Sequence, residues 1–286
     1  MIDDLIYDVG MNNGNDTAYY LHCGFRVLAI EADPTLCSQA SARFKKAIED
    51  GQLTILNVGI TPQAGTFDFW ICKTNSDWNS FDRSIASCNG SPHYSIQIPG
   101  QPFTKILGDY GIPYYLKVDI EGNDYLCIEA LNAGRELPQY VSVELGDIYD
   151  SVQKLEALGY TGYKCINQYN FLPLQMTPLA ETKRVERWYR LLQSRSIFAR
   201  TICKFYGRDN IWNNLIRKIP RQQEWTFHEG CSGPFGEDTL GQWLSAEEVR
   251  KTYHYYCQRH QERQSSPSWL YQKYASWMDL HAKREI

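Results

Sequence analysis

Short apolar blocks separated by glycine and polar residues fill the first part of the chain. Blocks at 5–9, 26–31, 53–57, 66–72, 114–119, 140–145 and 163–168 have the length and β-branched or aromatic content of strands. Between them, apolar residues at helical spacing predict helices over 16–23, 35–49, 124–133 and 150–158. Regular strand–helix alternation predicts an α/β fold, a mostly parallel sheet with helices on both faces. Asp16 or Asn15 is placed to cap the first helix and Gly24 to end it, as Gly159 ends the helix over 150–158.

The pattern changes twice. Residues 73–103 are rich in Ser, Asn, Asp, Gly and Pro, with Trp78, Phe81, His93 and Tyr94 interspersed. A polar loop of that length inside a compact domain is usually functional or disordered, and its position suits a loop that receives an acceptor. From about 178 the alternation stops. Apolar residues at near-helical spacing over 181–206 are followed by predicted helices near 209–218, 245–262 and 267–284, broken by Pro220, Pro234 and Pro267. The expected organisation is a ligand-binding domain over 1–175 and a helical cap over 176–286 that contributes to the acceptor site.

Chemistry concentrates at the first strand–helix junction. Asp8-Val9-Gly10-Met11-Asn12-Asn13-Gly14 ends a strand, turns tightly and opens a helix, and Glu31 ends the next strand. Gly10 would let a ligand approach the backbone, and Glu31 would accept hydrogen bonds from ribose hydroxyls. A dinucleotide fingerprint requires G-x-G-x-x-G, whereas Asn12 holds the position of its second glycine. Asn12 would crowd a pyrophosphate but can bond an amino-acid carboxylate or amine, and Asp8 suits a cation. S-adenosylmethionine (SAM), with its adenosine, sulfonium and methionine tail, fits these points. An ordinary strand-to-helix turn needs the same glycines, and a nicotinamide-dependent oxidoreductase is disfavoured by the missing glycine.

These residues resemble the FkbM-type SAM-dependent methyltransferases. The family block D-V-G-A-N-x-G is matched by residues 8–14, E-P-x-P is similar to Glu31-Ala32-Asp33-Pro34, and K-(I/V)-D-(I/V)-E-G appears as Lys117-Val118-Asp119-Ile120-Glu121-Gly122. Ser232-Gly233-Pro234-Phe235-Gly236-Glu237-Asp238, with Trp243-Leu244-Ser245 beyond, is similar to a segment of some members. The resemblance implies a Rossmann-like methyltransferase sheet and a SAM site. It places the methionine tail near Asp8, Gly10 and Asn12, with Asn13, Gly14 and Thr17 on the same turn, and the ribose on Glu31 beside Ala32. Asp119 borders that site. Asn57, after the third strand, is a candidate to reach the adenine or to make a local loop bond.

Ligands of open α/β sheets collect at the carboxyl ends of the strands, where Asp8, Glu31, Asn57, Asp119 and Glu144 are all expected. Methyl transfer to a hydroxyl is helped by a base that removes the proton. The candidates are Asp119, Glu121 and Glu144, with His228 from the cap as the candidate imidazole. Asp119 and Glu121 would share a face if the strand continued. Such carboxylates can also bind a divalent cation, but base or substrate anchor is the favoured role and no metal is expected. Glu121 could instead cap the following helix.

Composition narrows the setting. The nine cysteines show no C-x-x-C pair and no zinc spacing, which points to reduced thiols in a cytoplasmic protein. No apolar run reaches the ~20 residues that span a bilayer, and the acidic Met1-Ile2-Asp3-Asp4 argues against a signal peptide. Residues 1–175 carry 11 Lys/Arg and 21 Asp/Glu, whereas 176–286 carry 18 and 12. The segment from Lys183 to Arg221 holds eleven basic residues against Glu186 and Asp209, as a solvated face or as a surface for an anionic acceptor. Nucleic acid is not expected, since the net charge is −4 and no binding motif is present. Trp225, Phe227, His228 and Pro234-Phe235 are candidates for an aromatic lid or for core packing. The expected activity is methylation of an oxygen on a small molecule, sugar or natural-product scaffold. Esterification of a carboxylate on a peptide or metabolite, and a catalytically silent SAM-binding interaction protein, are the alternatives.

Overall fold

The computed structural model describes residues 1–132, 135–168, 170–177, 183, 197–207, 225–228, 230–263 and 277–285. It has the alternating architecture that the apolar blocks predict. Strands β1 (Ile2–Val9), β2 (Arg26–Glu31), β3 (Leu53–Asn57), β7 (Pro113–Val118), β8 (Tyr140–Glu144), β9 (Gly162–Asn167) and β10 (Met278–Lys283) make a seven-stranded sheet in the order β3-β2-β1-β7-β8-β10-β9. The β3-β2-β1-β7-β8 portion is parallel throughout. This is a Rossmann-like α/β sheet. Its strands are near-continuous apolar runs because both faces are covered: Ile6, Tyr7, Val9, Ala29, Ile30, Leu116 and Val141 are all at most 1% exposed.

Contacts divide the chain into two units. The first comprises Met1–Glu144, Gln153–Thr161 and Ala282–Ile286, and the second Leu145–Val152 and Gly162–His281. In the first unit, helix α1 (Asn15–His22) starts behind Gly14 with no side-chain cap, so neither Asp16 nor Asn15 does the capping expected of them. Gly24, at φ 88°, ends it as expected. The helix expected over 35–49 is two, α2 (Pro34–Arg43) and α3 (Lys45–Glu49), parted at Phe44. Asp33 caps α2 by accepting the Thr35 N–H at 2.8 Å, with Pro34 in the first turn where its missing N–H costs nothing.

The strand over 66–72 exists as β5 (Gly65–Cys72), but outside the parallel sheet. With β4 (Gly59–Ile60) and β6 (His93–Gln101) it forms a separate three-stranded sheet, β5 and β6 running antiparallel. The polar loop over 73–103 is therefore a strand, two short 3-10 turns and a helix, α4 (Arg83–Ala86). Helix α5 (Phe103–Tyr110), which sequence patterning missed, leads back to β7. Helices α6 (Asp124–Glu129) and α7 (Ile148–Ala157) flank β8.

The second unit carries β9, helices α8 (Ile197–Tyr206) and α9 (Ala246–Arg263), and most of β10. A helix over 267–284 is not what forms at its end: 278–283 is a strand whose every residue from Met278 to Ala282 is buried. The Thr161 N–H bonds Lys283 O at 2.9 Å and the Gln168 N–H bonds Trp277 O at 3.1 Å, so β10 runs antiparallel to β9. Most of 181–206, the helix expected over 209–218 and most of the basic stretch lie outside the described residues.

Candidate active site

The turn after β1 is built on close backbone approach. Gly10 has φ +85°, and a Cβ there would stand 1.7 Å from the Asp119 carbonyl oxygen. Sequence reading reserved that space for a ligand; the chain itself occupies it. Gly14 is equally constrained, since a Cβ would lie 2.6 Å from the Phe44 ring. The Gly10 and Met11 N–H groups bond Ile30 O at 2.9 and 3.1 Å, which pins the turn to the end of β2.

Glu31 ends β2 with 7% of its surface exposed. Its carboxylate accepts the Asn12 N–H at 2.7 Å and the Asp33 N–H at 2.8 Å, one on each oxygen. Burial lifts its pKa to about 7, against the pull of these two bonds. Asn57 donates its amide to the carbonyls of Glu31 and Ala32, each at 3.0 Å. It thus makes the local loop bonds that were the alternative to an adenine contact. Asn13 accepts the Asn15 N–H at 3.0 Å and serves the turn itself.

Asp8 and Thr17 correct the sequence reading. Both are 0% exposed, and the Thr17 hydroxyl donates to Asp8 at 2.6 Å. Both side chains are closed to solvent and bonded to each other. The cation that Asp8 meets is Lys117, whose Nζ stands 3.2 Å from Asp8, 3.8 Å from Asp119 and 2.8 Å from Gly10 O. Burial opposes the ammonium charge, but Asp8 and then Asp119 outweigh it and hold Lys117 well above the ordinary lysine range. No role was read for Lys117 in the sequence, although it opens the 117–122 block.

A segment between β5 and α4 covers this turn. Asn12 donates its amide to Asp77 at 2.5 Å and accepts the Ser76 hydroxyl at 3.0 Å. Asn79 donates to Asp33 at 3.2 Å, and the Ser80 hydroxyl donates to Glu121 O at 2.7 Å. Residues 76–80 thus bond the turn and the loops beside it directly.

Beyond β7 the chain brings carboxylates together. Asp119 N–H bonds Val9 O at 2.9 Å, after which Glu121 takes φ +53° and Gly122 φ +110°. Glu121 is therefore turned off the strand, and the shared strand face expected for it and Asp119 does not exist. Asp124, not Glu121, serves the start of α6: its two oxygens accept the Ile120 and Gly122 N–H groups at 3.0 and 3.1 Å. Asp119, Glu121 and Glu144 each present an oxygen within 4.8 Å of the others. Burial first, and then Glu144, lift Glu121 to about 9; burial and then Asp119 lift Glu144 to about 8. Asp119 rises to about 6, burial outweighing the opposing Lys117. Such a cluster can store and pass a proton near neutral pH, or supply oxygen ligands to a divalent cation. His228 belongs to the second unit, where it is exposed and its carbonyl accepts the Cys231 N–H. There Phe227 packs on Phe171, with ring centroids 5.1 Å apart, and Phe235 is buried.

The sequence model described as "Methyltransferase FkbM domain" matches residues 8–175, a stretch containing the turn, Glu31 and all three carboxylates. The chain belongs to the FkbM methyltransferase family. It is similar in structure to a precorrin-6y C5,15-methyltransferase from Geobacter metallireducens, at 16% identity and TM-score 0.34. The match covers 58% of this chain and 69% of that one, too weak a likeness to transfer chemistry. Comparison with curated proteins returns no match. Among the described residues, no helix of this FkbM-family methyltransferase is long and apolar enough to cross a membrane.

Proposed function

We propose that the protein transfers the methyl group of SAM to a hydroxyl oxygen of a small molecule, sugar or natural-product scaffold. Methyltransferases of this fold generally use SAM, which when bound supplies an electrophilic methyl on a sulfonium cation. The residues fit that donor. Glu31 spends one lone pair of each oxygen on a backbone N–H, leaving capacity for a ribose diol. The carboxylates beyond β7 and β8 give the same sheet edge the negative potential that a cation seeks.

The observation that carries the hydroxyl assignment is the trio Asp119, Glu121 and Glu144, held within 4.8 Å of one another and lifted toward neutral pH. Carboxylates with raised pKa are stronger bases than ordinary ones, and a base is what a hydroxyl acceptor needs as it loses its proton. Lys117 keeps Asp119 oriented and offsets its charge, so a proton can enter the trio without leaving three anions side by side. A carboxylate acceptor needs no base and would be repelled by the trio. Esterification is accordingly the less supported reading. No bound cation is required by this scheme, because proton uptake relieves the repulsion that a metal would otherwise relieve.

The test has two arms. Calorimetry should give saturable binding of SAM and none of NADH, and mass spectrometry of reactions with hydroxylated sugars and polyols should show a product heavier by one methylene unit. Binding of NADH in place of SAM, or methylation confined to carboxylates, would overturn the assignment.

A further inference from the structure

One cation on the segment between β5 and β6 has no part in the scheme above. The Arg83 guanidinium lies over the Trp70 indole, its Cζ 5.0 Å from the ring centroid, and its Nε–H donates to His93 Nε2 at 3.1 Å. His93 Nδ1 sits 3.0 Å from Ser91 O, so Nδ1 carries the hydrogen and Nε2 is the acceptor. The His93 and Trp70 rings pack edge to face, with centroids 5.6 Å apart. The arginine is therefore fixed on one face and at Nε.

Among the described residues, its terminal nitrogens meet no hydrogen-bond partner. Among the described residues Arg83 has no ion pair, and the adjacent Asp82 accepts from Ser84 N and Oγ instead, each at 2.7 Å. A guanidinium with Nε occupied and both terminal –NH2 groups open is a fork for an oxyanion. Because stacking has already ordered the side chain, less entropy is lost when an anion binds.

Chain connectivity links its segment to the Glu121-Gly122 turn. Trp70 and Ser80 exchange backbone hydrogen bonds at 2.8 and 3.0 Å, and Ser80 in turn bonds Glu121 O. Ile85, on the same short helix as Arg83, has its Cδ1 3.2 Å from where a Cβ on Gly122 would stand. Arg83 thus belongs to the 80–86 segment that touches the Glu121-Gly122 turn, two residues before the Ile85 that makes the contact. We propose that Arg83, oriented by Trp70 and His93, is a subsite for an oxyanion on the acceptor, a phosphoryl or carboxylate group remote from the methylated hydroxyl. The word acceptor rests on the methyl-transfer reading; the anion site does not.

The whole protein is titrated with glucose 1-phosphate, gluconate and glucose while the Arg83 Nε and His93 ring nitrogens are followed by 15N NMR. Saturable shifts with at least one anion and none with glucose are expected, and the anion that binds identifies the source. Arg83→Gln should weaken that binding at least tenfold, and Arg83→Lys should fall between, because an ammonium keeps the charge without the fork. Failure of both anions to saturate, or undiminished affinity in Arg83→Gln, overturns the site. Should that variant not fold, undiminished affinity in Arg83→Lys does the same. SAM calorimetry on the unmodified protein separates the readings: loss of the SAM result sinks methyl transfer and leaves the anion site standing.

Discussion

Replacing Lys117 by methionine removes a cation that stands 3.2 Å from Asp8 and 3.8 Å from Asp119, while keeping most of the side-chain volume. Lys117 is 3% exposed and Asp8 0%, so the variant leaves Asp8 in the core with only the Thr17 hydroxyl for support. Breaking a buried pair by deleting one partner costs about 3–5 kcal/mol, against total stabilities of about 5–15 kcal/mol. The lost bond to Gly10 O falls within that figure, because these interactions share one ammonium and do not add. Urea unfolding followed by circular dichroism should show the drop as a lower midpoint with an unchanged slope. Asp8→Asn combined with Lys117→Met should recover about half of it, since no uncompensated charge remains at position 8. The loss should also shrink from pH 8 to pH 5, where an unpaired carboxylate can take up a proton. A cost below about 1 kcal/mol, or a double variant as unstable as the sum of the singles, would refute the view that this pair organises the site.

Glu31→Ala should weaken SAM binding by about 1–3 kcal/mol, the scale for hydrogen bonds to a charged group, and calorimetry showing unchanged affinity would remove Glu31 from the ribose. Asp119→Asn should slow turnover with SAM affinity largely kept; equal loss of both would make Asp119 a binding residue. With Glu121 held near 9 and Glu144 near 8, a rate that depends on their free carboxylates should rise through pH 8–9, whereas one that depends on Asp119 should level off just above pH 6. Glu144→Gln deletes a like charge and should move the Glu121 midpoint down in pH; an upward move would contradict the electrostatics. Carboxylates with folded pKa above the unfolded value lose stability as they ionise, so thermal stability should decline between about pH 4.5 and about 9, and Glu121→Gln should flatten that decline. Treatment with a chelator should leave turnover in place, and full loss restored by magnesium would assign the trio to a metal.

The parallel core was legible because its strands are uniform apolar runs and the turns between them carry glycines at left-handed positions. Gly10 and Glu31 stood out for the same reason, each a polar or small residue at the end of such a run. What escaped were elements whose composition works against their conformation. His93–Gln101 holds Ser95, Gln97, Pro99 and Gly100, and its strand state comes from pairing with β5, which local sequence does not encode. Met278, Leu280 and Ala282 alternate with Asp279 and His281, a period of two that was visible but subsumed in a longer helical reading. Both polar residues of that alternation are buried as well, with His281 lowered to about 3 by burial and then by Lys164. Among site residues, Lys117 was hidden because its partners, Asp8 and Gly10, are more than 100 residues away. Asp8 and Thr17 are bonded to each other and closed to solvent, a pairing that a strand-end signal does not show. Arg83 drew no attention, being a lone arginine in a polar stretch until β5 and β6 set Trp70 and His93 against it.

The charge layout explains why a hydroxyl and an anion can belong to one acceptor. Burial first, and then neighbouring acidic groups, raise Asp119, Glu121 and Glu144, while Lys117 pulls the other way on Asp119 and Glu144. A further anion buried among them would meet the same desolvation cost that raises the three carboxylates, so a neutral group suits the reacting position better. A hydroxyl meets that condition and gains a base, and under the proposal above an anionic substituent on the same molecule is held by Arg83. The carboxylates and the guanidinium together would then orient such an acceptor with its hydroxyl toward the trio.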